Sequence, residues 1–417
     1  MNQQATHTET QNNPIVILTI ANGAGHIRVA GGIATAIRST KPELPVMVVD
    51  VADYMKSLTR FTHVSAYLWL VKHAPRVWDR IDRYQKKQTH TSPEWYYRRG
   101  CHRLFGLFRD IRPRAIVATE VGCCEIAALM KRDLTLDAPL VAVNDDYDAD
   151  RAWVQSEVDL YCFIAEEFGK QLIANGAVRE RVAIWGAPLS SGFEVPRTRE
   201  HERAEICGRF SFDPALPIVL IAGGGEGIGK IEEITSRLLR LNRHDLQLLV
   251  LTGRNEGLKS RCDRVAMNAF WNCCRVLGWV GPEEMPQLMC AADLMVSKLG
   301  SMFNEALASE LPIIAMEPPP GSERVQYRLL EKWNVGCAVR TVDEVVERVI
   351  RLIAEPEQIE AMRREARSHR TLGVSRRIAH WLIEATDRRS PLCKDYEWSA
   401  LNPESLSREI LKVETHL

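Results

Sequence analysis

The chain has no run of apolar residues long enough to cross a membrane and no excess of either charge. A membrane-spanning helix needs roughly 18–20 apolar residues in succession, and every apolar run in this 417-residue sequence is shorter. Lys and Arg together number 54, and so do Asp and Glu. Because nonspecific nucleic-acid binding requires a basic excess or a basic stripe, we expect no nucleic-acid partner. Any membrane contact is expected to be peripheral.

Paired cysteine motifs and a leader sequence are also missing. None of the 11 Cys lies in a CxxC pair or in zinc-like spacing with His, so we expect reduced cysteines in a cytoplasmic protein and no metal centre. Residues 1–13 are polar, without an apolar run behind a basic start, and are expected to be a loose tail. A chain of this length usually forms two or three domains.

Two series of short apolar runs follow one another along the chain, and each opens with a strand, a glycine-rich turn and a helix. Continuous apolar runs are typical of strands buried in parallel sheets. We therefore predict an α/β protein with two Rossmann-like, doubly wound domains facing a central cleft, where a ligand binds at the carboxyl ends of the strands. The predicted strands cover 15–20, 46–51, 115–118, 140–143, 160–163 and 182–185, then 218–222, 246–252, 275–277, 294–297 and 313–316.

The same patterns divide the chain. We predict an amino-terminal domain over 14–192, a proline-containing linker over 193–217, a carboxy-terminal domain over 218–372, and a last helix within 373–417 that packs back on the first domain. An insertion over 61–106 interleaves aromatic and basic residues, which is typical of a segment that meets anionic lipid headgroups. The alternative is a helical insertion packed on the first domain with solvated basic faces.

Three patterns carry candidate chemistry. Glycines over 223–229 let the backbone approach a phosphate, and the helix that follows directs free N–H groups towards it. The alternative is a tight turn without a ligand.

His26 opens the first helix, whose dipole would lower the pKa of the imidazole and leave it neutral as a proton acceptor. The alternative is a capping or exposed His. Glu305 follows a strand and a Gly turn and can accept hydrogen bonds from ribose hydroxyls, with Lys298 near the phosphates; the alternative is a surface pair.

An acidic run follows the fourth predicted strand. It contains Asp145, Asp146, Asp148 and Asp150. We favour a solvated loop here over a divalent metal site.

In this order the motifs GxGH, GGGxGxG and [ST]KxG…EAL resemble those of one glycosyltransferase family. It includes the monogalactosyldiacylglycerol synthases, the bacterial processive diacylglycerol glucosyltransferases and the peptidoglycan lipid-linked GlcNAc transferase, and the resemblance covers about residues 14–370. The diacylglycerol branch is similar in three further places, which are YLWLVKHAPRVWDRIDRYQKK over 67–87, Asn144-Asp145 with Trp153 and VDLY, and PPPGSE over 318–323.

The resemblance implies a GT-B enzyme that moves a hexose from a UDP-sugar to a hydroxyl of a diacylglycerol-like lipid, with inversion and without an essential metal or cofactor. It implies a cytoplasmic protein held peripherally at the inner membrane face, with acceptor binding in the first domain and donor binding in the second. His26 corresponds to the general base, which Asp145 would orient. The implied donor contacts are Gly223, Gly224, Gly225, Glu226, Gly227, Lys298, Gly300, Ser301, Glu305, Glu323 and Gln326, and the acceptor or membrane contacts are Gly25, Tyr67, Trp69, Trp78 and Trp153.

Departures from the family pattern leave the sugar and the acceptor open. Ala24 interrupts the first glycine motif, Asp148-Ala149-Asp150 stands where the diacylglycerol branch usually has a His, and Ser322 replaces a Gln. Three alternatives remain: transfer to a soluble acceptor, a UDP-GlcNAc 2-epimerase-like enzyme, and a non-catalytic peripheral membrane module. The sequence does not determine the number of sugars added or the oligomeric state.

Overall fold

The computed structural model describes residues 13–20, 24–269, 273–316 and 323–387. Within these residues it contains two six-stranded sheets in which every neighbouring pair of strands is parallel. Helices connect the strands in both sheets. The predicted α/β class with two doubly wound, Rossmann-like domains is therefore confirmed.

The first sheet has the strand order β2-β1-β3-β4-β5-β6. Strands β1, β3, β4 and β5 are buried along their whole length, because apolar helices cover both faces of the sheet. All six predicted strands of this half are present. Their bounds are β1 Ile15–Thr19, β2 Val46–Asp50, β3 Ala115–Ala118, β4 Leu140–Val143, β5 Leu160–Phe163 and β6 Val182–Ile184.

The second sheet has the strand order β12-β11-β10-β7-β8-β9. Five of its strands match predicted runs, and the sixth, β12, was not predicted because it is a four-residue edge strand that begins with Gly336 and is only half-buried in its middle. The bounds are β7 Ile218–Ala222, β8 Gln247–Leu251, β9 Cys274–Leu277, β10 Leu294–Ser297, β11 Ile313–Met316 and β12 Gly336–Val339.

The helices of the first half include a run that lies between β2 and β3. This run forms the predicted insertion, and its residues Tyr97, Leu104 and Phe108 are buried in the core of this half. A π-helical turn over Phe61–Ser65 joins two of its helices. The helices are α1 Ala24–Thr40, α2 Val51–Tyr54, α3 Ser57–Arg60, α4 Ala66–His73, α5 Pro75–Gln85, α6 Glu94–Gly100, α7 His102–Ile111, α8 Val121–Asp133, α9 Glu166–Ala174 and α10 Ser191–Glu194.

The remaining helices belong to the second half, except the last, which returns to the first. Ile378 and Leu382 of this last helix are buried in the cluster that contains α1 residues, and the Ser375 hydroxyl donates to the Leu189 carbonyl at 2.9 Å. The helices are α11 Arg199–Phe210, α12 Ile231–Arg240, α13 Glu256–Met267, α14 Met285–Ala291, α15 Ser301–Ala308, α16 Glu323–Lys332, α17 Val342–Ala354, α18 Pro356–His369 and α19 Val374–Asp387.

Each sheet has one point where the chain order reverses. In the first sheet this point lies between β1 and β3, and in the second it lies between β7 and β10. Crevices outside the carboxyl ends of strands at such points are the usual ligand sites of open α/β sheets. The start of α1, the glycine loop after β7 and the turn after β10 all lie there.

Candidate active site

His26 and Asp145 form a hydrogen-bonded pair at the carboxyl end of the first sheet. His26 lies in the first turn of α1, after β1, and Asp145 lies just beyond β4. Their Nδ1 and Oδ1 atoms are 3.0 Å apart, and both side chains are largely buried. The two strands that carry them are separated only by β3, so their following turns meet at one edge of the sheet. With Nδ1 bonded to Asp145, Nε2 is the ring nitrogen left for an acceptor hydroxyl.

The expected charge of His26 was wrong. Burial lowers the pKa of the imidazole, but Asp145, with further help from Asp146 and Glu120, outweighs burial and raises the pKa to about 10. The dipole of α1 acts in the predicted direction, yet a carboxylate in direct contact is stronger than a helix end. His26 is therefore an imidazolium paired with Asp145 at neutral pH, and it acts as a base only after losing a proton.

The acidic loop after β4 is organised rather than solvated, so that prediction was wrong. Asn144 caps the loop by accepting from the Asp146 N–H at 2.8 Å and donating to the Asp148 carbonyl at 2.6 Å. Asp148 pairs with Lys86 of the insertion at 2.7 Å. Burial raises the pKa of Asp150 to about 8. Within the described ranges, no cluster of three or more His, Cys, Asp or Glu side chains is arranged to hold a metal.

The glycine loop after β7 turns tightly and leaves one side open. Gly224 and Gly227 have φ angles of 68° and 60°, a region that favours glycine. A Cβ on Gly227 would lie 2.4 Å from the Thr252 carbonyl oxygen, whereas the position of a Cβ on Gly224 is met only by Lys298 Cε at 3.9 Å. The open side at Gly224 thus faces a cation. Glu226 is exposed at the outer rim, 4.0 Å from Arg254.

A buried glutamine, Gln326, stabilises the turn after β10. Gln326 accepts a hydrogen bond from the Gly300 N–H at 2.7 Å, and Gly300 has a φ of 95°. Its side-chain oxygen therefore positions the turn that carries Lys298 and Ser301. Residues 317–322 lie outside the described part of the chain, as does the side chain of Glu323, so the predicted donor contact of Glu323 stays a prediction.

Glu305 is deeply buried and contacts the opposite half of the molecule. Only 4% of the residue is exposed, so the surface alternative is wrong. Arg28 of α1 donates to its Oε1 at 2.7 Å, while the buried Oε2 has no hydrogen-bond partner in the described structure. Burial raises the pKa of Glu305, and Arg28 opposes that rise. A free, buried acceptor atom is what a ribose hydroxyl requires.

A small open pocket lies beside the glycine loop and Arg28. Gly224, Gly225 and Gly253 form one wall, and Trp279 and Arg28 form another. Arg254 stacks on the Trp279 ring with its guanidinium carbon 3.7 Å from the ring centre. The sequence interpretation missed Arg28 and Trp279. The signal for Trp279 was its place two residues beyond the β9 strand end, where the pocket-forming turns of this sheet lie.

The two halves touch directly beside the His26–Asp145 pair. A Cβ on Gly25 would lie 3.3 Å from Ser301 Cβ and 3.7 Å from Asp145 Oδ2, so the start of α1 and Ser301 are closely packed here. Nearby, the Tyr147 hydroxyl donates to Asn304 Oδ1 at 2.5 Å. The helix α15, which carries Glu305, is thus in contact with the turns of the first half. The structure brings the predicted base next to Ser301 and the helix that carries Glu305.

The aromatic residues predicted to meet acceptor or membrane divide into three groups. Trp69 is 58% exposed on α4. Tyr67 and Trp78 are half-buried and pack edge to face, with ring centres 4.8 Å apart. Trp153 is buried and packs against Phe163 in the core, so its assignment to an acceptor or membrane surface was wrong. Trp153 ends a 3-10 turn over Arg151–Trp153, and the Cys124 thiol of α8 donates to its carbonyl at 3.7 Å.

Comparison with known proteins supports the same class of enzyme. Residues 26–189 match the family model described as monogalactosyldiacylglycerol (MGDG) synthase. A processive diacylglycerol beta-glucosyltransferase of Bacillus licheniformis is 25% identical over 382 residues, covering 90% of this chain and 96% of that protein. One from Bacillus cereus is 26% identical over 374 residues, covering 86% and 90%.

Solved structures share the fold at low sequence identity. The S. aureus MnaA–UDP co-structure has a TM-score of 0.59 at 13% identity, covering 89% of this chain and 96% of that one. A UDP-GlcNAc 2-epimerase from Neisseria meningitidis bound to UDP-GlcNAc has 0.58 at 12%, covering 89% and 99%. The Acinetobacter baumannii MurG structure has 0.54 at 11%, also covering 89% and 99%.

The fold and these matches define the chain as a hexosyltransferase of the GT-B type. Within that class its sequence is similar to the monogalactosyldiacylglycerol synthase family model over residues 26–189 and to the processive diacylglycerol glucosyltransferases over most of its length. The predicted resemblance is confirmed.

Proposed function

We propose that this enzyme transfers a hexose from a UDP-sugar to a hydroxyl of a diacylglycerol-like lipid, with inversion at the anomeric carbon, at the inner face of a membrane. The observation that carries the proposal is the placement of the His26–Asp145 pair beside Ser301. Because of this placement, the proposed base of the first half lies next to helix α15 of the second half, which carries Glu305.

The donor half of the proposal rests on groups that suit a nucleoside diphosphate. Glu305 has a free buried oxygen for a ribose hydroxyl, and Gly224 is open towards Lys298. Two of the similar solved structures hold UDP or UDP-GlcNAc. A uridine diphosphate donor agrees with the site groups and with these similar structures. Its ribose offers hydroxyl donors, and its diphosphate needs cations and backbone N–H groups.

The proposed reaction is a single displacement. The acceptor O–H gives its proton to Nε2 of neutral His26 as its oxygen forms the bond to the anomeric carbon. The bond from that carbon to UDP breaks on the opposite face, and its electron pair stays on the diphosphate. Asp145 holds Nδ1 and stabilises the imidazolium that forms. No metal takes part, so the cations of the cleft must balance the charge that develops on the diphosphate.

The acceptor half of the proposal rests on the exposed face of the insertion. Leu58, Phe61 and Trp69 are all exposed in the helical run from 57 to 73, and Leu58 and Trp69 are separated by about three helical turns. Large apolar side chains on one side of a helix next to basic residues are suited to the interface of an anionic membrane. No described helix is long and apolar enough to span a bilayer. A lipid acceptor is also the substrate named for the diacylglycerol glucosyltransferase relatives.

A donor screen tests the proposal. UDP-glucose, UDP-galactose, UDP-GlcNAc and UDP-glucuronate are each incubated with the protein and a total lipid extract, and products are read by mass spectrometry. We expect one donor to give UDP and a glycosylated lipid, and no product from the His26→Ala variant. Glycosylation of a water-soluble metabolite but no lipid would favour the soluble-acceptor alternative.

One arm of the screen addresses the epimerase alternative, which the structural similarity to the N. meningitidis enzyme favours. UDP-GlcNAc is incubated with the protein alone. Conversion of this nucleotide sugar without any acceptor would contradict the transferase proposal, and we expect none.

A further inference from the structure

Arg28 reaches from the first half of the molecule into the pocket of the second. It follows His26 by two positions on α1, and residues so spaced on a helix point to different sides. Accordingly, His26 contacts Asp145 of its own half, whereas Arg28 donates to Glu305 of the other half at 2.7 Å. The guanidinium carbon also lies 5.9 Å from the centre of the Trp279 ring. Arg28 is thus the cation that the acceptor side places in the donor pocket.

Arg28 and Glu305 both have unused hydrogen-bonding capacity. A guanidinium carries five N–H donors, and among the described residues Glu305 is the only hydrogen-bond partner of this one. The side chain of Arg28 is 18% exposed, so water reaches little of it. Glu305 keeps one buried oxygen without a partner. Spare donors next to a spare acceptor suit a ligand that has both hydroxyls and anionic oxygens, which is the chemistry of a nucleoside phosphate.

The helix that follows the glycine loop favours a further cation near a bound diphosphate. Helix α12 begins at Ile231, and its first turn contains Glu232 and Glu233. These carboxylates already complement the positive end of the helix dipole, so less of its potential remains for a diphosphate. Lys298 approaches the open side of Gly224 from the same half. Arg28 lines the pocket together with Gly224 and Gly225 and supplies a second positive charge from across the cleft.

We propose that Arg28 is a phosphate-binding residue of the donor site, supplied by the acceptor half. This inference rests on the proposed nucleotide donor. When the site is empty, Arg28 neutralises buried Glu305. When a nucleotide is bound, the ribose hydroxyls donate to Glu305 and the spare N–H groups of Arg28 donate to the phosphates. Because Arg28 and His26 share the first turns of α1, phosphate binding also fixes the base beside the donor.

The affinity ratio between UDP and uridine tests this role, because only UDP carries phosphates. Calorimetry measures both ligands with wild-type protein and with Arg28→Ala. We expect the substitution to weaken UDP binding by about 10- to 100-fold, which is the range for loss of a hydrogen bond to a charged group. Uridine binding should weaken by much less. Arg38→Ala is the matched control, since Arg38 is exposed on the same helix and donates to the Val46 carbonyl, away from the pocket lining. We expect the control to leave both affinities unchanged.

The outcomes separate this inference from the function on which it rests. If wild-type protein binds neither ligand, the nucleotide donor is wrong and the role of Arg28 falls with it. If wild-type protein binds UDP and Arg28→Ala weakens both ligands equally or neither, the role of Arg28 alone is wrong. Uridine binding also shows that the variant is folded. Should Arg28→Ala bind no uridine, Arg28→Met and Arg28→Lys replace it. The ratio of UDP affinity to uridine affinity must then fall in Arg28→Met and be partly retained in Arg28→Lys.

Discussion

At the scale of single residues, the charge of His26 is set by its neighbours. Asp145 contacts the imidazole at 3.0 Å, and two further carboxylates add to its field. The pKa of about 10 means that the protonated ring predominates below that pH and the free base grows as the pH rises. A high pKa also makes the free base strong once it forms. The proposed base His26 is therefore strong but scarce at neutral pH.

This arrangement predicts a pH dependence. The kcat/KM for the lipid acceptor should rise about tenfold per pH unit below the pKa of His26, because the fraction of neutral imidazole rises by that factor. Asp145→Asn removes the main neighbouring charge, so the midpoint should move to lower pH while the plateau falls by roughly 100-fold. The measurement is the pH–rate profile of both proteins.

Asp148→Asn is the matched control for this prediction. Asp148 lies in the same loop but pairs with Lys86 at 2.7 Å rather than with His26. Its substitution should leave the midpoint in place. A profile that is flat, or one whose midpoint Asp145→Asn does not shift, would contradict the assignment of His26 as the base.

Sequence alone predicted His26, Asp145 and Glu305 but missed Arg28. The first three lie in motifs that resemble a known family. Arg28 has no such motif, and its partner Glu305 is 277 positions away. The direction of the His26 pKa was missed for a similar reason, because the helix dipole is a local feature while Asp145 arrives from a distant strand end. Contacts of this kind become visible only when the strand order is known.

At the scale of elements, a buried carboxylate joins the insertion to the core. Glu125 of α8 accepts hydrogen bonds from the Thr91 N–H at 2.9 Å and from the Tyr97 hydroxyl at 3.1 Å. The Thr91 hydroxyl is a further partner. Burial raises the pKa of Glu125 to about 8, although the Thr91 bonds oppose the rise. Folding therefore takes up a proton here between the ordinary pKa of a glutamate and pH 8.

The linked prediction concerns stability. A carboxyl with a raised folded-state pKa stabilises the fold least above that pKa, so its contribution should decrease between about pH 4.5 and pH 8 by about 1 kcal/mol per pH unit. Glu125→Gln cannot ionise and should lack this slope in urea unfolding measured across the range. The exposed Glu167→Gln is the control for loss of one negative charge. Equal slopes in wild type and Glu125→Gln would contradict the buried, protonated state.

The exposed helices of the insertion lead to a second prediction at this scale. Leu58, Phe61 and Trp69 are replaced together by serine, and the variant is tested by flotation with vesicles that contain an anionic lipid. We expect wild type to float and the variant to stay in solution, because each large apolar side chain withdrawn from the interface loses roughly 1.5–3 kcal/mol.

The control for flotation lies on the second half of the molecule. Met267 is 84% exposed near the end of α13, so Met267→Ser removes an exposed apolar side chain away from the insertion. This variant should float like wild type. Equal flotation of the triple variant, or equal loss by the control, would show that the insertion does not direct membrane binding.

At the scale of the whole molecule, most of the architecture could be predicted. Eleven predicted apolar runs matched strands, and eight of these strands are buried along their whole length, as is typical of parallel sheets. The edge strand Gly336–Val339 was missed because its burial is partial and its sequence is short. Strand order could not be predicted, since it depends on which distant runs pair. It is that order which brings the turns of β1, β4, β7 and β10 to the cleft.

The central claim is that a base from the first half removes the proton of an acceptor hydroxyl, whose oxygen attacks a sugar held by its diphosphate in the second half. The most direct test is the product of one reaction run in EDTA with the donor chosen by the screen and vesicles containing diacylglycerol. We expect UDP and transferred sugar in equal amounts, with an anomeric configuration by NMR opposite to that of the donor. A product that retains the donor's configuration, or donor consumed without glycolipid, would contradict the account.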